Sequence, residues 1–330
     1  SDAELTALNT ELERLKGELA RKDAEIQALN SRLQKDKERE SEVDDERKAM
    51  IYTGDVYIGG GTSQMANLKP AGALDPLEPA LILPEVKDPD QWWGGKHPWI
   101  DPDHTVLSFT LYPGTTYAIN TEMVKPEEVK SYKDLLNPKW KGKMVIYDPT
   151  VAGGPTQKWF VAIAFGSLPL GFMPGMDFMK ELAKQEPVIL RDRRQQVEWL
   201  AHGRYPIALA PDTTPMTEFK NAGSPLSYVN PVEGNFLTSG YGNVSLVNKA
   251  PHPNTARVFI NWLLTKEGQL AFTKGLPYHS ARLDVPTDQI EPSKMRAPGV
   301  KYFYTETEEY LLLENERGKT AKDIFAALLK

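Results

Sequence analysis

Two textures follow one another along the chain. Up to residue 48, leucine and isoleucine recur at spacings of three and four, at Leu5, Leu8, Leu12, Leu15, Leu19, Ile26, Leu29 and Leu33. Lys22 interrupts that stripe, the intervening residues are mostly Glu, Lys, Arg, Asp and Gln, and Gly17 is the lone glycine. An a/d stripe sustained over about four heptads predicts a coiled-coil helix over 1–48, with self-association as the default partner. The stripe fades after Leu33, where Asp36 and Glu40 fall on seam positions. A single solvated helix is the other reading of the same pattern.

From Ile51 the period changes. Short apolar runs predict strands at Asp55–Ile58, Val106–Leu111, Met144–Tyr147, Ile207–Ala210 and Val244–Val247. Helical patterns fall at Thr156–Phe165, Met176–Lys184, Gln195–Ala201, Asn254–Lys274 and Glu306–Leu329. Strands alternating with helices, with Pro and Gly punctuating the joins, predict an α/β architecture of open sheets covered by helices.

Composition narrows the function class. The 330 residues suffice for two domains and an appendage, and the net charge of −6 is spread along the chain. No basic face is available for phosphate neutralisation, which argues against nucleic acid as a partner. There is no cysteine, so disulfides, thiolate metal sites and a cysteine nucleophile are excluded together. No apolar run approaches the roughly 20 residues that span a bilayer. The chain opens Ser1-Asp2-Ala3-Glu4 without a basic, then apolar, leader, so export would require a targeting segment removed or replaced. Neither a Gly-x-Ser-x-Gly elbow nor a His-Glu-x-x-His helix occurs, and His97, His104, His202, His252 and His279 lack metal-ligand spacing. The expectation is a binding protein, with no enzyme activity, cofactor or metal.

Three segments look like strand ends entering ligand loops. In the first, a strand runs into Gly59, Gly60, Gly61, Thr62 and Ser63, exposing backbone N–H groups beside small side chains without a Walker ending. In the second, Asp148-Pro149-Thr150-Val151-Ala152-Gly153-Gly154-Pro155-Thr156 opens a helix whose unpaired amides favour an anion. In the third, Pro211-Asp212-Thr213-Thr214-Pro215 follows a strand, and Asp212 either meets a cation or caps the next helix. A glycine turn and two ordinary helix caps are the bland readings of the same strings.

Three further strings carry a family resemblance. Leu135-Leu136-Asn137-Pro138-Lys139-Trp140-Lys141-Gly142-Lys143 followed by Asp148-Pro149-Thr150, the run Phe259–Gln269, and the segment Ala66–Leu77 stand in matching order over roughly residues 47–330. Together they resemble the ferric-iron-type solute-binding proteins of bacterial ABC importers. The resemblance implies a two-lobed periplasmic-binding-protein-like fold of type II that closes on a solute between its lobes. It implies ligand loops at Gly60–Ser63, Thr150–Thr156 and Asp212–Thr214, with Arg194 as a charge partner. It divides the chain into a coiled coil at 1–48, lobe 1 at 49–116, lobe 2 at 117–238 and a lobe 1 return with C-terminal helices at 239–330.

Two departures qualify what the family implies. Where ferric binders carry two tyrosines this chain has Thr213-Thr214, neutral hydroxyls that cannot replace two phenolates, so a small anionic or polar organic solute is expected. The family's opening strand–helix–strand is replaced by the charged heptads, leaving the first lobe lacking it. The expected setting is periplasmic or extracellular and membrane-associated, with a membrane ABC permease as partner. The alternative is a coiled-coil oligomeric scaffold or surface protein with a vestigial cleft.

Overall fold

The computed structural model describes residues 52–151, 154–166, 173–276 and 278–329. The predicted coiled coil over 1–48 lies outside these residues. The chain divides into two compact units. One comprises residues 1–54 and 249–251, where Lys249 Nζ donates to the Tyr52 hydroxyl at 3.0 Å. The other, residues 55–248 and 252–330, carries all that follows.

A first sheet joins β1 (Val56–Gly59), β2 (Leu74–Asp75), β3 (Leu107–Ser108) and β11 (Asn243–Val247), with β11 pairing antiparallel to the other three. Its apolar side packs Leu107, Phe109, Leu111 and Val244 against Ile260, Leu263 and Leu264. The last three belong to α5 (Pro253–Leu263) and the turn after it. The helix predicted over 254–274 is in fact two, α5 and α6 (Lys266–Gly275). Thr265 stops the first by capping the second, its hydroxyl accepting from the Gly268 N–H at 3.1 Å. A Cβ at Gly268 would lie 2.1 Å from the Trp262 carbonyl oxygen, so the tight corner requires glycine.

A three-stranded sheet of β12 (Tyr302–Tyr304), β10 (Asn235–Thr238) and β4 (Tyr112–Pro113) carries the chain between its larger neighbours. The predicted strand over 106–111 is accordingly broken: β3 ends at Ser108, and the chain then turns into β4.

The third sheet has the order β7 (Val188–Leu190), β6 (Met144–Tyr147), β8 (Ile207–Leu209), β5 (Tyr117–Asn120), β9 (Leu226–Val229). β6 runs parallel to β7 and β8, while β5 is antiparallel to β8 and β9. Its inner strands β5, β6 and β8 are buried on both faces with the two-residue period of a pleat, while β7 at one edge is half-buried. Tyr117, Ile119, Met144, Ile146, Ile207 and Leu209 point into one core, and Ala118, Val145 and Ala208 into another. The first core is closed by α1 (Pro155–Phe165), α2 (Met176–Lys184) and α7 (Glu308–Phe325). The second is closed by α3 (Arg193–Ala201), with Met216 from α4 (Thr213–Asn221). Burial on both faces explains why β5 shows no alternation in sequence that would have predicted it.

Candidate functional site

The parallel strands β6, β7 and β8 end on one edge of the third sheet, and their exits are the loops at Asp148–Gly154, Arg191–Asp192 and Ala210–Asp212. Carboxyl edges of such sheets are where ligands bind in open α/β folds, because successive loops diverge there to leave a crevice. Because β5 runs the other way, its entry residues Thr115 and Thr116 reach the same edge. Thr116 pins it, donating from Oγ1 to the Val229 carbonyl at 2.6 Å and accepting from the Ala210 N–H at 2.8 Å. Ala210 has φ of 44°, a left-handed conformation that disfavours a residue with a Cβ, held here immediately before the Asp212 loop.

In the Asp148 loop, the aspartate accepts from the Thr150 N–H at 2.9 Å and from its hydroxyl at 2.6 Å, folding the strand exit back on itself. Ala152 and Gly153 lie outside the described residues. Gly154 precedes α1 without a side-chain cap, and a Cβ there would lie 2.8 Å from Arg193 Nη2. Thr156 is buried, and its Oγ1 has no hydrogen-bond partner among the described residues. Asp212 caps α4 by accepting from the Thr214 N–H at 3.0 Å, leaving Thr213 half-buried and Thr214 exposed. Its other carboxylate oxygen stands 3.7 Å from Arg193 Nη1, and the same guanidinium lies 4.7 Å from the Tyr147 ring centre. Arg193 thus joins the second and third loops. Arg194, the arginine singled out from sequence, instead pairs with Glu218 and lies over Phe219 along α3 and α4. One position along a helix rotates a side chain by about 100°, which is why neighbouring arginines take different partners.

The glycine loop stands on a fixed platform. Gln64 is fully buried, its Nε2 within 3.4 Å of the Gly59 and Asn243 carbonyls and its Oε1 accepting from Ser245 at 2.7 Å. Gly60 and Gly61 enter a short helical turn above it, with Ser63 half-buried on that turn. Thr62 donates to Glu314 of α7 at 2.9 Å. A Cβ on Gly61 would meet Leu311 at 2.9 Å and Glu306 Oε2 at 3.0 Å.

Glu306 is fully buried, and its Oε1 gathers Lys158 Nζ at 3.1 Å, the Ser239 N–H at 3.0 Å and the Thr238 hydroxyl at 3.2 Å. Burial pushes the carboxyl upward, yet Lys158 and Ser239 outweigh it and hold Glu306 below its ordinary value. Burial likewise pulls Lys158 down, and Glu306 and Glu314 reverse that, so both partners stay charged. Lys158 is the fourth residue of α1, near the positive end of the helix dipole, which raises the cost of its charge unless a carboxylate compensates.

An aromatic group at the same edge was also missed. Tyr112 stacks on Tyr278 with ring centres 4.5 Å apart, and Lys294 Nζ lies 5.4 Å from the Tyr112 ring and 5.8 Å from that of Tyr228. These residues come from four separate stretches of chain and share no motif. An open groove of about 650 Å³ between residues 82–85 and α5–α6 shares no residue with any of these loops.

A family model described as bacterial extracellular solute-binding protein matches residues 39–297. The chain belongs to that family. A Haemophilus influenzae protein is 29% identical over 232 residues, 67% of this chain and 61% of that one. The chain therefore spans less than two thirds of that relative's length. Among solved structures, Trichodesmium FutA, in complex with iron and citrate, superposes with a TM-score of 0.63 at 17% identity, covering 89% of this chain and 88% of its own. The periplasmic binding protein AfuA from Actinobacillus pleuropneumoniae, with fructose-6-phosphate bound, gives 0.56 at 22% identity over 88% and 87%. Iron-bound HitA from Pseudomonas aeruginosa gives 0.54 at 17% identity over 89% and 88%. At these identities the likeness shows the fold: a mixed α/β architecture shared with two-lobed periplasmic binding proteins.

Proposed function

We infer that the protein is the extracytoplasmic solute-binding component of an ABC importer. It captures a small anionic or polar organic solute and passes it to a membrane permease without making or breaking a bond. The observation that carries this reading is the convergence of three strand-exit loops on one sheet edge, with Arg193 standing between Gly154 and Asp212. The solute lies between residues 117–238 as one lobe and residues 49–116 with the return from 239 as the other. Gly60, Gly61, Thr62 and Ser63 face it from one side, and Thr150, Gly154 and Thr156 with Asp212, Thr213 and Thr214 from the other. Hinge closure about the β4–β10–β12 crossing would then select the liganded state from an open ensemble. Ferric iron is disfavoured, since Thr213 and Thr214 offer neutral hydroxyls and one carboxylate nearby, Asp212, is already engaged by Arg193.

The test is a thermal-shift screen against carboxylates, phosphorylated metabolites, amino acids, polyamines, sugars and ferric iron. A ligand bound only by the folded state raises the melting temperature by mass action. A solute that does so in the native protein and fails in Arg193→Ala supports the reading. A cooperative melt that no solute shifts would sink it.

A further inference from the structure

Two cations near Lys294 at the sheet edge already have carboxylate partners. Lys220 Nζ meets Glu291 at 2.6 Å, and Arg193 stands 3.7 Å from Asp212. Lys294, on the turn Pro292–Lys294, is 8% exposed and donates at 2.9 Å to Thr115 Oγ1, its one hydrogen-bond acceptor among the described residues. An ammonium carries three N–H donors, so two are unmet here. The rings of Tyr112 and Tyr228 lie beside it. The Tyr228 hydroxyl is buried too, with no partner among the described residues. Unmet donors on neighbouring buried side chains call for an acceptor that the described chain does not supply.

Charge says which acceptor. The carboxylates that act on Lys294 are Glu291 and Asp212, and each is already taken by Lys220 or Arg193. Three cations thus face two carboxylates, leaving one positive charge. Burial lowers Lys294 to about 8 against the pull of those two acids, so it remains mostly protonated at neutral pH.

We propose that Lys294, Tyr228 and the Tyr112–Tyr278 stack form a subsite that receives a carboxylate of the transported solute. Lys294 Nζ and the Tyr228 hydroxyl donate to its two oxygens, and the flat carboxylate lies beside the Tyr112 ring. A monoanion cancels the surplus charge. A phosphate dianion would leave excess negative charge beside Asp212 and Glu291, in surroundings too dry to screen it. The assignment rests on the solute-binding reading above and narrows it to organic acids.

The experiment compares the intact chain with Lys294→Met and Tyr228→Phe, both of which keep the side-chain volume. Each is checked for a cooperative melt and then screened with acetate, succinate, citrate and benzoate, and with inorganic phosphate, fructose-6-phosphate and glucose. At least one carboxylate is expected to stabilise the native protein and to bind at least 10-fold more weakly to Lys294→Met. Tyr228→Phe is expected to weaken the same ligand about 10-fold, the loss of one hydrogen bond to a charged group. A phosphorylated or neutral solute that stabilises all three proteins equally would overturn the subsite and leave solute binding standing. A carboxylate that binds Lys294→Met as tightly as the native chain would overturn it as well. Flat traces with every compound would remove both readings together.

Discussion

Two lysines of the candidate site make opposite use of burial. Lys158 and Glu306 form an ion pair at 3.1 Å in which the carboxylate Oε1 also accepts from the Ser239 N–H and the Thr238 hydroxyl, while Oε2 has no partner among the described residues. Lys294 is more deeply placed than the half-buried Lys158, and donates to one hydroxyl beside two ring faces. The first arrangement fixes elements: it ties α1 to the end of β10 and to the segment entering α7. The second leaves a charge unspent at the edge where the loops converge. A buried charge with a partner is structural reinforcement, and one without is a receptor in waiting.

The largest break in this comparison should come from Lys158→Met, which leaves Glu306 buried without its cation. We expect a loss of about 3 kcal/mol in urea unfolding, with Lys158→Met/Glu306→Gln recovering most of it. Because Glu306 is held below its ordinary value, its stabilising contribution is present above the unfolded carboxyl range and fades as pH falls through the folded value. Acid titration of Glu306→Gln should lose that part of the pH dependence. Lys294→Met should move stability in the opposite direction, gaining up to about 3 kcal/mol at pH 7, because it removes an uncompensated buried cation. The sign follows from a folded value of about 8 beneath the ordinary 10.5. Between those two pH values the unfolded chain binds the extra proton, so native stability rises with pH there, and the rise should vanish in the variant.

Smaller effects sharpen the same contrast around the glycine loop. Gly61→Ala places a methyl against Leu311, Glu306 and Ile100 and should cost about 2 kcal/mol by overpacking, read from the denaturation midpoint. Thr62→Val removes the bond to Glu314 and should cost about 1 kcal/mol. Thr213→Ala with Thr214→Ala should change stability by less than about 0.5 kcal/mol while weakening whichever solute the screen finds. Unchanged affinity in that double variant would take the α4 start out of the site.

Much of this was legible in the chain before it was folded. The runs Met144–Tyr147 and Met176–Lys184 are strand and helix with those same bounds, the first a short apolar run ended by Asp148 and Pro149, the second an amphipathic pattern opening after Gly175. All three proposed ligand loops are strand exits, as their Gly, Pro, Thr and Asp content required. The strand ends at Asp148 and Ala210 lie beside each other because β6 and β8 pair in parallel, a register no local pattern encodes.

The sequence by itself determined the α/β character, the glycine and threonine loops and a resemblance to bacterial solute-binding proteins that the family match bears out. These are local properties: period, turn chemistry and charge. Tertiary structure alone decided that Arg193 and not Arg194 meets Asp212, that Lys158 finds Glu306 148 residues away, and that Lys294 lies between two tyrosine rings. The energy of a buried charge depends on what surrounds it in space, and residues far apart along the chain supply those surroundings.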